Sequence, residues 1–176
     1  MSLMFVAPIS TADADKGDKI VRGSVVSLNA EGKMVLGLPE GEGNICPMPM
    51  FAKKNSFDPD VQTGAVGAQT GEILASSTVG GLMTAYVATG AFELESSEFA
   101  TGEYKFNMAL VADEDGKVVP ATGAVYGDKT VIGIVSKPPF RSKASMNVNG
   151  TGNNRICFWP VFFPANKAVA GTEAGE

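Results

Sequence analysis

The most apolar stretch of the chain, "RICFWPVFFP" at residues 155–164, decides the fold that the sequence predicts. Its apolar part, Ile156 to Pro164, is nine residues long, whereas a helix needs about 20 to cross a membrane. Its two prolines also exclude the interior of a helix. We therefore interpret it as a β-strand rather than a membrane anchor. Because alternate residues of a strand face opposite ways, both faces of this one are apolar.

Pro160 limits where such a strand can lie, because it has no N–H to donate to a neighbouring strand. The strand should lie at a sheet edge or carry a bulge there. Ile156 and Phe158 share one face, and Trp159 and Phe163 share the other. Two arrangements stay open. The strand is wholly internal to a closed barrel, or its second face contributes Trp159 and Phe163 to a subunit or partner interface that covers an otherwise aggregation-prone patch.

Further strand signals are short and numerous. "IVRGSVVSL" (20–28) and "KMVLGL" (33–38) predict a hairpin with Gly32 at a positive φ. "TVIGIVS" (130–136) is typical of a strand buried on both sides. The other strand candidates are "GAFELES" (90–96), "EYKFNMALV" (103–111), "KVV" (117–119) and "SMNVNG" (145–150).

These stretches predict about nine strands and little helix, with room for one short helix or turn within 60–80. The predicted fold is all-β, a small β-barrel or β-sandwich. Residues 19–164 form the single β domain, 1–18 an extended N-terminal arm and 165–176 a flexible tail. The apolar arm residues Phe5 and Val6 precede any clear strand, and they either dock on a neighbouring protein or pack into the chain's own core.

Two hairpin sequences resemble each other. "SLNAEGKMV" (27–35) and "LVADEDGKVV" (110–119) both place polar or acidic residues before Gly-Lys and a valine, with one extra residue in the second turn. Either two hairpins share turn chemistry, or the chain contains two related halves of one barrel. The pattern alone leaves both alternatives open.

Composition narrows the function. The chain has 14 basic and 19 acidic residues among 176, a net charge of −5, and no basic patch to bind nucleic acid. It has no histidine, the commonest general base and metal ligand. A carboxylate pair among Glu93, Glu95 and Glu98 is the remaining catalytic alternative, but their alternation with Phe92 and Leu94 favours a solvated strand face. We expect no catalytic residue and no enzyme.

Metal and cofactor sites are also not expected. "DEDG" (113–116) has no ligand at the twelfth position of a calcium loop, so it predicts a hairpin turn. Cys46 and Cys157 cannot complete a zinc tetrahedron without histidine. They fit buried thiols in a reducing compartment, with a disulfide as the alternative. Neither membrane nor nucleic-acid partners are expected.

The order of several segments resembles the head decoration proteins of tailed bacteriophages, also called capsid cement proteins. The resemblance covers about residues 20–164, and it is carried by "VRGSVVSLNAEGKMVL", "PMFAKKNSFDPDVQTG", "ATGAFELESSEF", "VIGIVSKPPF" and "ICFWPVFFP". It implies a viral structural protein that is made in the bacterial cytoplasm and decorates the outer surface of the virion. The implied partners are the major capsid protein and further copies of the chain, as a homotrimer or a dimer.

The expected interface residues are Phe5 and Val6 in the arm with Trp159 and Phe163 in the aromatic strand. Two other classes remain as alternatives. One is a glycan-binding β domain, and the other is a structural subunit of a phage tail or baseplate.

Overall fold

The structure of the chain is a computed structural model. It describes residues 4–8, 20–38, 48–53, 82–121, 129–146 and 152–165. These residues form ten strands in two antiparallel five-stranded sheets, and no helix occurs among them. The all-β prediction is confirmed. The predicted helix or turn within 60–80, residues 9–18 of the arm, Cys46 and the tail from residue 166 lie outside the described residues.

The first sheet contains the first five strands. They are β1 (Met4–Pro8), β2 (Val25–Leu28), β3 (Met34–Leu36), β4 (Met50–Ala52) and β5 (Leu82–Val87), in the spatial order β1-β5-β4-β2-β3. The predicted hairpin is β2–β3, and Gly32 has a φ of 74° in its turn. The apolar start of the chain pairs with β5, so Met4–Pro8 is an edge strand of its own domain.

The second sheet contains the other five strands. They are β6 (Leu94–Ser96), β7 (Ala109–Ala112), β8 (Val118–Pro120), β9 (Val131–Met146) and β10 (Gly152–Phe163), in the order β6-β10-β9-β7-β8. After β6 the chain runs beside β8, where Phe99 and Val118 form a parallel bridge. The Ala100 N–H donates to the Val118 carbonyl over 3.0 Å. These contacts hold the segment that follows β6 against β8.

The two sheets have the same topology. If β1 to β5 are matched in order with β6 to β10, the spatial order and every antiparallel pairing of the first sheet are repeated in the second. We call β1–β5 the first unit and β6–β10 the second unit. The two similar hairpins were explained either by shared turn chemistry or by two related halves of the chain. The topology supports two related halves.

The match extends to single hydrogen bonds of the two hairpins. The Lys33 N–H donates to Asn29 Oδ1 over 2.9 Å, and the Lys117 N–H donates to Asp113 Oδ1 over 2.7 Å. The residue two positions before the first strand of each hairpin has a positive φ, which is 93° at Gly23 and 63° at Asn107. The predicted extra residue in the second turn is wrong, because both turns join residues at the same spacing, Asn29 to Lys33 and Asp113 to Lys117.

Each unit has its own apolar core, built from equivalent positions. The buried pairs, first unit then second, are Ile20 and Tyr104, Val26 and Leu110, Met34 and Val118, Ala52 and Val135, Met83 and Ile156, and Ala85 and Phe158. The two cores distribute side-chain volume differently between neighbouring positions. Phe158 takes the place of Ala85, while Gly133 takes the place of Met50, and a Cβ on Gly133 would lie 2.7 Å from the Phe158 ring. The glycine therefore makes room for the larger ring.

The aromatic strand is β10, which lies between β6 and β9 rather than at an edge. β6 pairs only with Ile156–Phe158, and the pairing with β9 is irregular between Pro160 and Phe163. The bulge alternative for Pro160 is thus the one that the structure shows. "TVIGIVS" falls in β9, where Val131, Ile132 and Val135 are buried and Ile134 is half-buried, so the predicted burial on both sides holds in part.

Candidate interaction surfaces

The four predicted interface residues lie on two different sheets. Phe5 and Val6 are on β1 of the first unit, with 39% and 54% of their surfaces exposed. Trp159 and Phe163 are on β10 of the second unit, with 41% and 48% exposed. A wholly internal β10 is therefore wrong for its outer face, although Ile156 and Phe158 on the inner face are fully buried. No described contact joins the two pairs into one surface.

The β1 surface surrounds the free edge of the first sheet. Met4 is also exposed, and the Lys53 ammonium lies 3.5 Å from its sulfur. Met4 is the registered partner of Tyr86, whose ring packs against Phe92 with the centroids 5.7 Å apart. Ala7 is buried in the core of the first unit, whereas Phe5, on the same face of β1, stays partly exposed. The described part of the arm, Met4–Pro8, pairs with β5 and packs in part into the chain's own core. It leaves three large apolar side chains, Met4, Phe5 and Val6, in contact with solvent.

The second surface is a row of cross-strand neighbours on the outside of the second sheet. Ala109 on β7 is the registered partner of Ile134 on β9, and Ile134 is the partner of Trp159 on β10. Registered partners point to the same face, so these side chains adjoin. Ala109 and Ile134 are half-buried and Trp159 is exposed. We call this set the open row.

The first unit has an equivalent row, which is largely covered. Its members are Val25, Phe51 and Tyr86, joined by the same strand pairings. Val25 and Phe51 are fully buried because they pack into the core of the second unit, where the rings of Phe51 and Phe158 lie 5.2 Å apart. We call this set the covered row.

The contact between the units also involves backbone. The Val25 N–H donates to the Gly116 carbonyl over 2.7 Å. The Ser96 hydroxyl donates to the Gly23 carbonyl over 3.1 Å and accepts from the Glu98 N–H over 3.0 Å. A Cβ on Gly116 would lie 2.7 Å from Leu36 Cδ1. The β7–β8 turn of the second unit therefore fits closely against the start of β2 and the end of β3.

The acidic candidates of the sequence each have a structural partner. Glu93 accepts a hydrogen bond from the Ser136 hydroxyl, and Glu95 lies 3.7 Å from the Arg155 guanidinium. Glu98 accepts from the Ser97 hydroxyl over 3.0 Å. Glu93 and Glu95 are exposed while Phe92 and Leu94 are half-buried, as the alternation predicts.

Cys157 is a buried thiol on the second sheet. Burial raises its pKa above the usual value, and the negative charges of Glu93 and Glu95 act in the same direction, partly opposed by Lys137. A raised pKa keeps the thiol protonated at neutral pH and makes it a poor nucleophile or metal ligand. The burial of Cys157 agrees with the predicted buried thiol, and the disulfide alternative involves Cys46, which lies outside the described residues.

Within the described ranges, no three His, Cys, Asp or Glu side chains come together in a way that could hold a metal ion. In the same part of the chain, no helix has the length and apolar character needed to cross a membrane. "DEDG" forms the predicted hairpin turn, in which the Gly116 N–H donates to the Asp113 carbonyl.

Sequence reasoning missed two other exposed apolar residues. Among the described residues, Phe106 is the most exposed large apolar side chain at 66%, and Met48 is exposed as well. The sequence pattern places Phe106 in a strand, but Asn107 beside it has a positive φ, so the chain turns there and the Phe106 ring is exposed. Asparagine tolerates this conformation better than most residues, and that is the one local signal in "KFNM" that could have revealed the turn.

No family model matches this chain, and no curated protein or solved structure matches it. Its function is therefore argued from the two exposed surfaces and the contact between the units.

Proposed function

We propose that this chain is a viral structural protein, a head decoration protein that binds the outer surface of a bacteriophage shell made of the major capsid protein. The single observation that supports the proposal is the set of apolar side chains left exposed on two strands: Phe5 and Val6 with Met4 on β1, and Trp159 with Phe163 on β10. Contiguous exposed apolar surface is typical of sites that bind other proteins. The resemblance of the segment order to that of head decoration proteins indicates the kind of partner, the major capsid protein.

The mechanism is stabilisation by binding. Each copy bridges neighbouring capsid subunits through one or both exposed surfaces, and burial at these junctions favours the assembled shell over separated subunits. Many identical weak contacts on one lattice give a high overall affinity. The chain needs no catalytic group or cofactor for this role, and it acts at the virion surface after synthesis in the bacterial cytoplasm. Self-association, as a homotrimer or a dimer, belongs to the same proposal.

Co-sedimentation with expanded, undecorated shells tests the proposal. We expect wild-type chain to bind with saturation. The double variants Phe5→Ser with Val6→Ser, and Trp159→Ser with Phe163→Ser, should each lose at least tenfold in affinity. A loss of that size corresponds to about 1.4 kcal/mol, which is less than the transfer free energy of two large apolar side chains.

Met48→Ser is the matched control, because Met48 is 48% exposed and lies on neither surface. Wild-type affinity for this variant together with weak binding of both double variants supports the proposal. Absence of saturable binding by the wild-type chain rules it out.

Trp159 also favours a second candidate, a glycan-binding domain, because an exposed indole offers an apolar face on which a sugar ring can stack. A glycan array separates the two functions. Specific binding that is lost in Trp159→Ser, with no binding to shells, would establish the glycan-binding alternative.

A further inference from the structure

The contact between the two units runs in one direction only. The second-unit turn docks on the first unit, where Gly116 meets Leu36 and Val25. In its equivalent, the first-unit turn, Gly32 is exposed whereas Gly116 is buried, and a Cβ on Gly32 would have none of the described residues within 4 Å. A true two-fold arrangement would use both turns in the same way. The units are therefore joined head to tail.

A head-to-tail contact leaves one unused surface at each end of the pair. At one end is the free turn, Asn29 to Lys33. At the other is the open row of the second unit, which is equivalent to the covered row. Phe51 of the covered row is fully buried, whereas its equivalent Ile134 is half-buried, and Trp159 is larger than its equivalent Tyr86. The chain thus carries both halves of a contact that it cannot make with itself.

We propose that a second copy of this chain makes this contact, with the free turn of one copy docked on the open row of the next. The proposed geometry follows the one already present within the chain. Gly32 would take the place of Gly116, Ala109 the place of Val25, and Pro120 the place of Leu36. Heterologous contacts of this kind propagate, and they end only when the copies close into a ring. A closed ring of three copies would be the trimer of the proposed function.

The copy-to-copy contact differs from the internal one in one respect. The first unit has Ala85 where the second has Phe158, and Ala85 is fully buried. The ring pair of Phe51 and Phe158 is therefore not repeated between copies, and the turn and Trp159 supply the contact. The contact between copies should therefore be weaker than the contact within one chain, and assembly should depend on concentration.

Two variants block the two surfaces separately. Gly32→Asn keeps the positive φ, which asparagine tolerates, but adds a side chain where the equivalent Gly116 has a Leu36 atom 2.7 Å from a Cβ position. Trp159→Glu places a charge in the open row. Glu103→Gln and Lys105→Gln, at two exposed residues outside both the free turn and the open row, are the matched controls, and thermal melts establish that each variant is folded.

Sedimentation velocity over a range of concentrations is the measurement. We expect wild type and both controls to assemble, and Gly32→Asn and Trp159→Glu each to be monomeric. Mixed in equal amounts, the two blocked variants should form dimers and nothing larger, because each retains the surface that the other has lost. If Trp159→Glu fails to fold, Trp159→Ser takes its place.

Three results would overturn the proposal: a wild-type chain that is monomeric at every concentration, assembly that survives both blocking variants, or blocked variants that fail to complement each other. The proposal deepens the self-association part of the proposed function and does not rest on shell binding. Self-association by this contact without shell binding would overturn the proposed function alone. Shell binding by a chain that stays monomeric would overturn this proposal alone.

Discussion

At the scale of single residues, Tyr104 shows how the core of the second unit handles a polar group. Its side chain is buried, and its hydroxyl shares its one proton between the carbonyl oxygens of Ala100 and Val118, at 2.7 and 3.0 Å. Burial raises its pKa from 10.0 to about 12, and the charge of Asp113 acts in the same direction. The folded state therefore holds this proton more tightly than the unfolded state does.

The pKa gives the direction of a pH effect. Below pH 10 the contribution of Tyr104 to stability is fully present, and it is lost as the pH rises from 10 towards 12, because the unfolded state then releases the proton more readily. In denaturant titrations, wild type should lose more stability over this interval than Tyr104→Phe. At neutral pH the variant should be less stable by about 1 kcal/mol. Parallel pH profiles for the two proteins would contradict the assignment.

Phe51 and Ile134 provide a matched pair, because they hold the same position in the two units. Phe51 is fully buried against Phe158, so Phe51→Ala should lower the free energy of unfolding by about 3–5 kcal/mol. Ile134 is half-buried, and Ile134→Ala should cost less than about 2 kcal/mol. The comparison is made by urea denaturation at a concentration where the chain is monomeric. Equal costs would show that the second unit's row is already covered within one chain.

At the scale of elements, the two hairpins share their turn geometry and differ in their surroundings. Gly32 and Gly116 have φ values of 74° and 69°, which an alanine adopts only at a cost of about 1–2 kcal/mol. Only Gly116 is packed, with Leu36 and the Val25 carbonyl within 3 Å of a Cβ position.

Gly32→Ala should therefore cost only the backbone strain, about 1–2 kcal/mol. Gly116→Ala should cost about 1–3 kcal/mol more, because its methyl group forces the two units apart. Thermal or chemical denaturation of both variants beside wild type measures the difference. If the two substitutions have the same effect, the close fit between the units is wrong.

The elements also show how far the sequence could lead. Both hairpins, the glycine turn, the burial of "TVIGIVS" and the alternation in "GAFELES" were predictable, because local turn chemistry and side-chain periodicity determine them. The pairing of Met4–Pro8 with β5 was not, since partner choice between distant strands depends on contacts that a single sequence does not display. Phe106 was missed for a simpler reason, because an asparagine turn interrupted an otherwise strand-like run.

At the scale of the whole molecule, the chain is two units of one topology joined head to tail. The candidate surfaces were partly predictable. Trp159 and Phe163 stood out because both faces of their strand are apolar, and Phe5 and Val6 because they are apolar near the start of the chain. The open row was not predictable, because Ala109 and Ile134 are ordinary strand residues until the topology places them beside Trp159 and shows that their equivalents are covered.

This arrangement connects the fold with the proposed role. A unit that already binds its neighbour within the chain can use the same surface to bind the next copy, and the β1 edge remains available for the shell. In this account, stability of the monomer depends on Phe51 in the covered row, and the proposed assembly of copies depends on Trp159 in the equivalent open row.

Trp159 is the only tryptophan of the chain, so quenching of its fluorescence by acrylamide reports directly on whether the open row is covered. As the concentration of the chain rises, the account predicts a shift of the emission to shorter wavelength and a fall in the quenching constant, with neither change in Gly32→Asn. Emission and quenching that stay those of a half-exposed indole at every concentration would contradict it.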